Sequence, residues 1–167
     1  SATAIPASRR IAVIRSLAAR VVAQGRATDA DALFADAWAR EEKDETGLPG
    51  GIAIPHAKSA AVTKPSLAFA RLAPGVDFGA TDGPADLVFL IAAPDGAGAA
   101  HMKLLSSLAR ALVRPAFVES LRNAGSADEV VSLVEGVVTP APAAAKPAPV
   151  ATAKPEDVAN KVPTSDL

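Results

Sequence analysis

Gly51-Ile52-Ala53-Ile54-Pro55-His56-Ala57-Lys58 is the stretch that decides the reading of the fold. Two glycines, Gly50 and Gly51, lead into a short apolar run whose isoleucines favour an extended conformation. The run predicts a strand over Ile52–Ile54. Pro55 is expected to stop the ladder, because proline has no N–H to donate. The next residue, His56, is one of two histidines in the chain. A strand that ends at a proline and delivers an imidazole can hold a nucleophile at a sheet edge.

Working outward, Ser8 to Gln24 places Ile11, Ile14, Leu17, Val21 and Val22 at helical spacing, with Ser8 as N-cap and Gly25 as stop. Thr28 is the expected N-cap of a second helix, with Asp29 and Asp31 in its first turn, where the helix dipole favours negative charge. Leu33, Phe34, Ala37 and Trp38 form its apolar face, and it should end near Lys43. The acids Glu41, Glu42, Asp44 and Glu45 read as a solvated helix end. On the other side of His56, Ser66 to Leu72 reads as a strand and Val76 to Phe78 as a further short one. Asp86 to Ala93 contains Leu87-Val88-Phe89-Leu90-Ile91, a continuous apolar run that predicts a central strand buried on both faces. Three helices follow, over Ala99–Val113, Pro115–Asn123 and Ser126–Glu135. Pro115 suits a first helical position, and Ser126 with Glu129 is a capping-box pair. Strands interleaved with helices argue an α/β layer fold.

Composition narrows the function. Seventeen Lys and Arg against eighteen Asp and Glu leave no field of either sign, so nucleic acid is an unpromising partner. There is no cysteine, which removes disulfides, thiolate nucleophiles and Cys-based zinc sites. No run approaches the roughly 18–20 apolar residues of a membrane span, so no membrane insertion is expected. Arginines 9, 10, 15 and 20 interrupt the N-terminal apolar stretch, against a signal peptide. The chain does not start with methionine and reads as processed, tagged or excised from something longer. Neither a metal nor a cofactor is expected: two histidines distant in sequence carry no ligand spacing. Asp95-Gly96 with Gly98 lacks the lysine and spacing of a phosphate loop. From Thr139 the composition turns to proline, alanine and lysine with no apolar face, which reads as a semi-rigid linker over residues 139–167.

Gly51 to Ser59, with the segments around it, resembles the phosphorylation site of enzyme IIA domains of the bacterial phosphoenolpyruvate-dependent sugar phosphotransferase system. The similarity is to the fructose–mannitol class, whose relatives include nitrogen-regulatory IIA proteins, and it runs from about Ser8 to Val138. It implies a single mixed β-sheet flanked by helices on both faces, within a domain of residues 1–138. The chain begins with little that would serve as the leading strand such relatives often carry. The resemblance also implies a cytoplasmic phosphotransferase component. His56 would take a phosphoryl group at Nε2 from the carrier protein HPr. It would pass the group to the cysteine of an enzyme IIB domain, and through IIB to the membrane permease IIC, for fructose or a related sugar. The alternative is a nitrogen-branch regulator acting through phosphorylation-dependent partner binding. Lys58 and Ser59 are of the fructose flavour, and the linker would lead to a IIB domain.

Phosphoryl transfer needs a nucleophile, in-line geometry and neutralisation of charge on the moving group. An imidazole with an ordinary pKa of about 6.5 is mostly neutral at neutral pH and needs no general base. His101 lies on the helical face of Leu104, Leu105, Leu108 and Leu112, where pattern alone makes it a histidine at the rim of a core. The resemblance instead places it beside His56, orienting the acceptor and stabilising phosphoryl charge. Arg40, by pattern a cation near a helix C-terminus, is placed by the resemblance in the active pocket, where a guanidinium binds two phosphoryl oxygens. Thr46 matches the same pattern, its hydroxyl donating a hydrogen bond to the phosphoryl group, although loop capping explains it equally well. Gly51 would allow close backbone approach, or simply form a turn. Lys58 is either an exposed charge or a docking residue.

Overall fold

The computed structural model describes residues 4–138 and 159–160. The chain opens with helix α1 (Ala4–Ala23), which buries Ile14, Leu17, Ala18 and Val21. It starts four residues before Ser8, the expected cap. Alanine is the best helix former, and a proline in the first turn lacks only an N–H that would have no helical acceptor. Gly25 then turns the chain at φ +77°. Helix α2 (Ala30–Lys43) is capped by Asp29, whose carboxylate accepts from the Ala32 N–H at 3.1 Å, and not by Thr28. Thr28 is engaged elsewhere: its backbone N–H donates to the Ala61 carbonyl at 2.8 Å.

Among the described residues six strands form one mixed sheet: β1 (Gly47–Leu48), β2 (Ile52–Ala53), β3 (His56–Ser59), β4 (Ser66–Val76), β5 (Ala85–Pro94) and β6 (Ala159–Asn160). β5 is central. β2 and β3 both lie parallel along one of its edges, Ile52 opposite Leu87 and His56 opposite Ile91. β4 runs antiparallel along the other, and β1 pairs with β2. Pro55 therefore interrupts the ladder without ending it. Its missing N–H costs one bond, but its carbonyl accepts from Ile91 N–H at 2.9 Å, and pairing resumes at His56. The two strands expected over 66–72 and 76–78 are one, paired through Arg71 and again at Val76 with a register shift between.

Side-chain alternation divides the core into two layers. Leu67, Phe69, Leu87, Phe89 and Ile91 face helices α3 (Gly98–Leu112), α4 (Pro115–Asn123) and α5 (Ala127–Val138). The opposite face presents Ala53, Ala57, Ala68, Ala70 and Ala92 with Val88 and Leu90, and takes α1 and α2. This is the mixed sheet with helices on both faces that the resemblance implies. Among the described residues no strand precedes α1, and β1 occupies the sheet edge beyond β2. The α5 cap forms as expected on Ser126, whose hydroxyl accepts from Glu129 N–H at 3.1 Å. The Glu129 carboxylate reaches back to Gly125 N–H at 2.9 Å, one residue beyond the cap's own N–H that the usual reciprocal bond takes.

Most of the expected linker lies outside the described residues. The two that are described, Ala159 and Asn160, pair antiparallel with Phe69 and Ala68 on the outer edge of β4. An edge strand offers its free N–H and C=O groups to any extended backbone.

Candidate active site

His56 opens β3, and strand parity aims its side chain at the α3 side of the sheet, in line with Ile52 and Ile54. β5 ends at Pro94, and a short turn in which Ala97 N–H donates to the Pro94 carbonyl at 3.1 Å starts α3. His101 lies in the first turns of α3 and is 5% exposed. The two imidazoles meet with ring centroids 5.7 Å apart, tilted by 52°. Residues distant in sequence are thus brought together by the β5–α3 connection.

The His56 ring is oriented by one bond. Nδ1 lies 2.7 Å from the Ile54 carbonyl oxygen. A carbonyl only accepts, so Nδ1 carries the proton and Nε2 keeps its lone pair. Burial lowers the His56 pKa most; the Ile54 carbonyl opposes this by favouring the cation, and the Arg40 charge lowers it further. The pKa of His101 is also lowered, first by burial and then by the charges of His56, Lys58 and Arg40. Both rings are therefore neutral at neutral pH. The Nδ1 of His101 is buried and has no hydrogen-bond partner among the described residues.

Arg40, in the last turn of α2, is anchored by its Nη1 donating to the Asp44 carbonyl at 2.8 Å, and its charge acts on both histidines. Lys58 is exposed, two residues along β3 on the same face as His56, and its charge acts on His101. The assembly is a nucleophilic nitrogen with a neutral imidazole beside it, in the positive potential of two cations. It suits an anionic, electrophilic group arriving at Nε2.

The solved complex of enzyme IIAMtl and phosphorylated enzyme IIBMtl from Escherichia coli contains a chain of the same fold, with TM-score 0.64 and 28% identity over 75% of this chain and 87% of that one. Residues 3–136 match the family described as phosphoenolpyruvate-dependent sugar phosphotransferase system, EIIA 2. The chain belongs to that family. A fructose-specific EIIA component from Haloferax volcanii is 40% identical over 134 residues, 80% of this chain and 87% of that protein. A nitrogen regulatory protein from Pseudomonas aeruginosa is 34% identical over 134 residues, with the same coverage of each chain.

Two further residues expected at this EIIA site are held by other contacts. Thr46 is buried, and its hydroxyl donates to Glu41 Oε1 at 2.7 Å. Gly51 stands at the start of β2, remote from the histidines: its neighbour Ile52 pairs with Leu87, four residues and about 13 Å along β5 from the partner of His56. Its φ is +80°, and a Cβ there would come within 2.6 Å of Arg122 Nη2 and 2.8 Å of Asp86 Oδ1. Those atoms form a two-pronged ion pair, Arg122 to Asp86 at 2.7 and 2.9 Å, that ties α4 to β5. The glycine makes room for that pair.

Glu41 is a correction. Expected on a solvated helix end, it is 1% exposed. Its carboxylate accepts the Thr46 N–H at 3.0 Å and the Thr46 hydroxyl, with Arg10 Nη1 3.7 Å away. Burial pushes its pKa up, against the lowering effect of Thr46, Arg10 and Arg40. A run of acids gives no sign of which one turns inward. The only signal in the sequence is a hydroxyl residue five positions on.

Proposed function

We propose that this EIIA chain is a phosphocarrier in which His56 Nε2 accepts a phosphoryl group from the phosphohistidine of HPr and passes it to the cysteine of an enzyme IIB domain. The Nε2–P bond forms as the donor's N–P bond breaks, and the proton stays on Nδ1, hydrogen-bonded to the Ile54 carbonyl, throughout. The observation that carries this reading is the 2.7 Å contact of Nδ1 with that carbonyl, which leaves Nε2 free on a neutral ring. His101 stabilises the phosphoryl oxygens and holds the acceptor in line, and Arg40 supplies positive charge. The likeness to a fructose-specific EIIA component favours fructose as the sugar, with the chain working in the cytoplasm and IIB delivering the phosphoryl group during uptake through IIC. The similarity to a solved IIA–IIB complex supports a IIB partner.

Incubation with enzyme I, HPr and labelled phosphoenolpyruvate tests the reading. One acid-labile, base-stable phosphate per chain is expected, and none on His56→Ala, which should fold normally. Stoichiometric labelling of His56→Ala would overturn it. The second reading, a nitrogen-branch regulator, draws on the 34% identity to a nitrogen regulatory protein. It shares the acceptor chemistry but predicts no onward transfer to a fructose-type IIB.

A further inference from the structure

Burying a carboxylate is unfavourable unless its oxygens gain partners that water no longer supplies. Glu41 gains them mainly from one residue, Thr46, which offers both its N–H and its hydroxyl. The bonds then continue. The Thr46 carbonyl accepts the Ile54 N–H at 3.2 Å, and the Ile54 carbonyl accepts the His56 Nδ1–H, with Nδ1 2.7 Å away. Glu41, Thr46, Ile54 and His56 form one hydrogen-bonded series running from the end of α2, across the β1–β2 side of the sheet, to the reactive ring. At its far end the carboxylate is steadied from α1 by Arg10. The neighbouring Arg40 is fixed to Asp44, so the segment joining α2 to Thr46 is held at both ends.

We propose that Glu41 is a positioning residue for the reaction at His56. By clamping both donors of Thr46, it fixes the Ile54 carbonyl that sets the tautomer and plane of the His56 ring. The proposal rests on the reading of His56 as phosphoryl acceptor, but its primary consequence is visible without phosphate. A residue that merely stabilised the loop would change the melting temperature and leave the tautomer alone.

The experiment uses the full chain with 15N-labelled histidine. Long-range 1H–15N spectra give the His56 tautomer, and phosphorylation kinetics with phospho-HPr give kcat and KM. The unmodified chain should show the Nδ1–H form. In Glu41→Ala the Nε2–H form should rise and kcat fall by about tenfold with KM unchanged, the scale of a small misplacement of reacting groups. Glu41→Gln should recover most of the rate and the tautomer. Its amide oxygen still accepts the Thr46 N–H, and its NH2 donates to the hydroxyl. A folded Glu41→Ala with unaltered tautomer and kcat overturns the proposal, as does Glu41→Gln behaving like Glu41→Ala. If Glu41→Ala does not fold, Thr46→Val removes one of the two clamping bonds at nearly constant shape. An unaltered tautomer in that variant overturns the proposal equally. If the unmodified chain takes no phosphate yet the tautomer responds to Glu41→Ala, the acceptor reading fails and the positioning role stands.

Discussion

In its proposed role as phosphoryl acceptor, His56 illustrates how little a nucleophile needs once its surroundings are arranged. Among the described residues no carboxylate orients it; a backbone carbonyl two residues earlier does. A carboxylate partner would raise the pKa and add negative charge where a phosphoryl group must arrive. A carbonyl orients the ring with neither consequence on the same scale. Arg40 contributes at a distance, and two outcomes separate its effect from that of structure. Arg40→Ala should slow phosphoryl acceptance ten- to a thousandfold, on the order seen for one preorganised donor, and Arg40→Lys should restore it only partly. Arg40→Ala should also raise the His56 pKa, because the Arg40 charge lowers it. Acceptance by the unmodified chain should stay flat through pH 6.5, falling only as His56 titrates at its lowered value; in Arg40→Ala that acid limb moves to higher pH. The stability sign follows the same logic. Histidines with depressed folded-state pKa values contribute stability that is present above about 6.5 and lost as pH falls through the lowered values. An Arg40→Ala variant with an unmoved His56 titration, read by NMR, and an unchanged transfer rate would reduce Arg40 to a helix-end cation.

At the scale of elements, the sheet has one large-residue face and one small-residue face, and the difference sets how closely helices approach. Leucines, phenylalanines and isoleucines meet α3, α4 and α5; alanines on β2, β3, β4 and β5 let α1 and α2 settle close against the sheet. Ala68, 1% exposed, tests this. Ala68→Leu should destabilise by about 1–3 kcal/mol through overpacking, whereas Leu108→Ala on the other face should lose about 2–5 kcal/mol through a cavity. Denaturant unfolding measures both, and a neutral Ala68→Leu would mean that α1 and α2 are not tightly seated. The same division explains what was legible. The apolar run of β5 and the periodicity of α3 are strong local patterns, so the central strand and the helix bearing His101 could be read directly. Whether Thr28 or Asp29 caps α2 turned on Thr28 being drawn to Ala61, a residue thirty-three positions away. Resumption of pairing after Pro55 depended on β5 being alongside. The site was legible only through resemblance, because His56 and His101 are joined by topology rather than spacing. Glu41 was missed because burial of an acid is decided by tertiary partners, Thr46 and Arg10, that no local pattern marks.

At the scale of the whole molecule, the question is what residues 139–167 contribute. We propose that they are a tether to a IIB domain and that residues 1–138 are the functional unit. Six prolines remove backbone donors from that segment, and it has no apolar face. Its described part, Ala159–Asn160, pairs with β4 over two residues. Each ladder bond contributes about 1 kcal/mol, while ordering each residue's backbone costs about 1–2 kcal/mol, so the pairing should be close to neutral. Truncation after Val138 should therefore shift the melting temperature by less than about 4 °C, the equivalent of about 1 kcal/mol in a domain of this size. It should leave the rate of phosphorylation by HPr unchanged. Fully extended as polyproline II, the 29 residues of 139–167 would reach about 90 Å, ample for a second domain to meet the His56 face. A fructose-type IIB fused after Leu167 would then experience the site at roughly millimolar effective concentration, and should accept phosphate faster than the same IIB added separately at micromolar concentration. Deleting most of 139–158 should reduce that gain, since a short connection keeps the two faces apart. Unfolding on truncation at Val138 would make the segment part of the core and not a tether. Equal transfer to fused and separate IIB at low concentration would refute the tether itself while leaving His56 chemistry untouched.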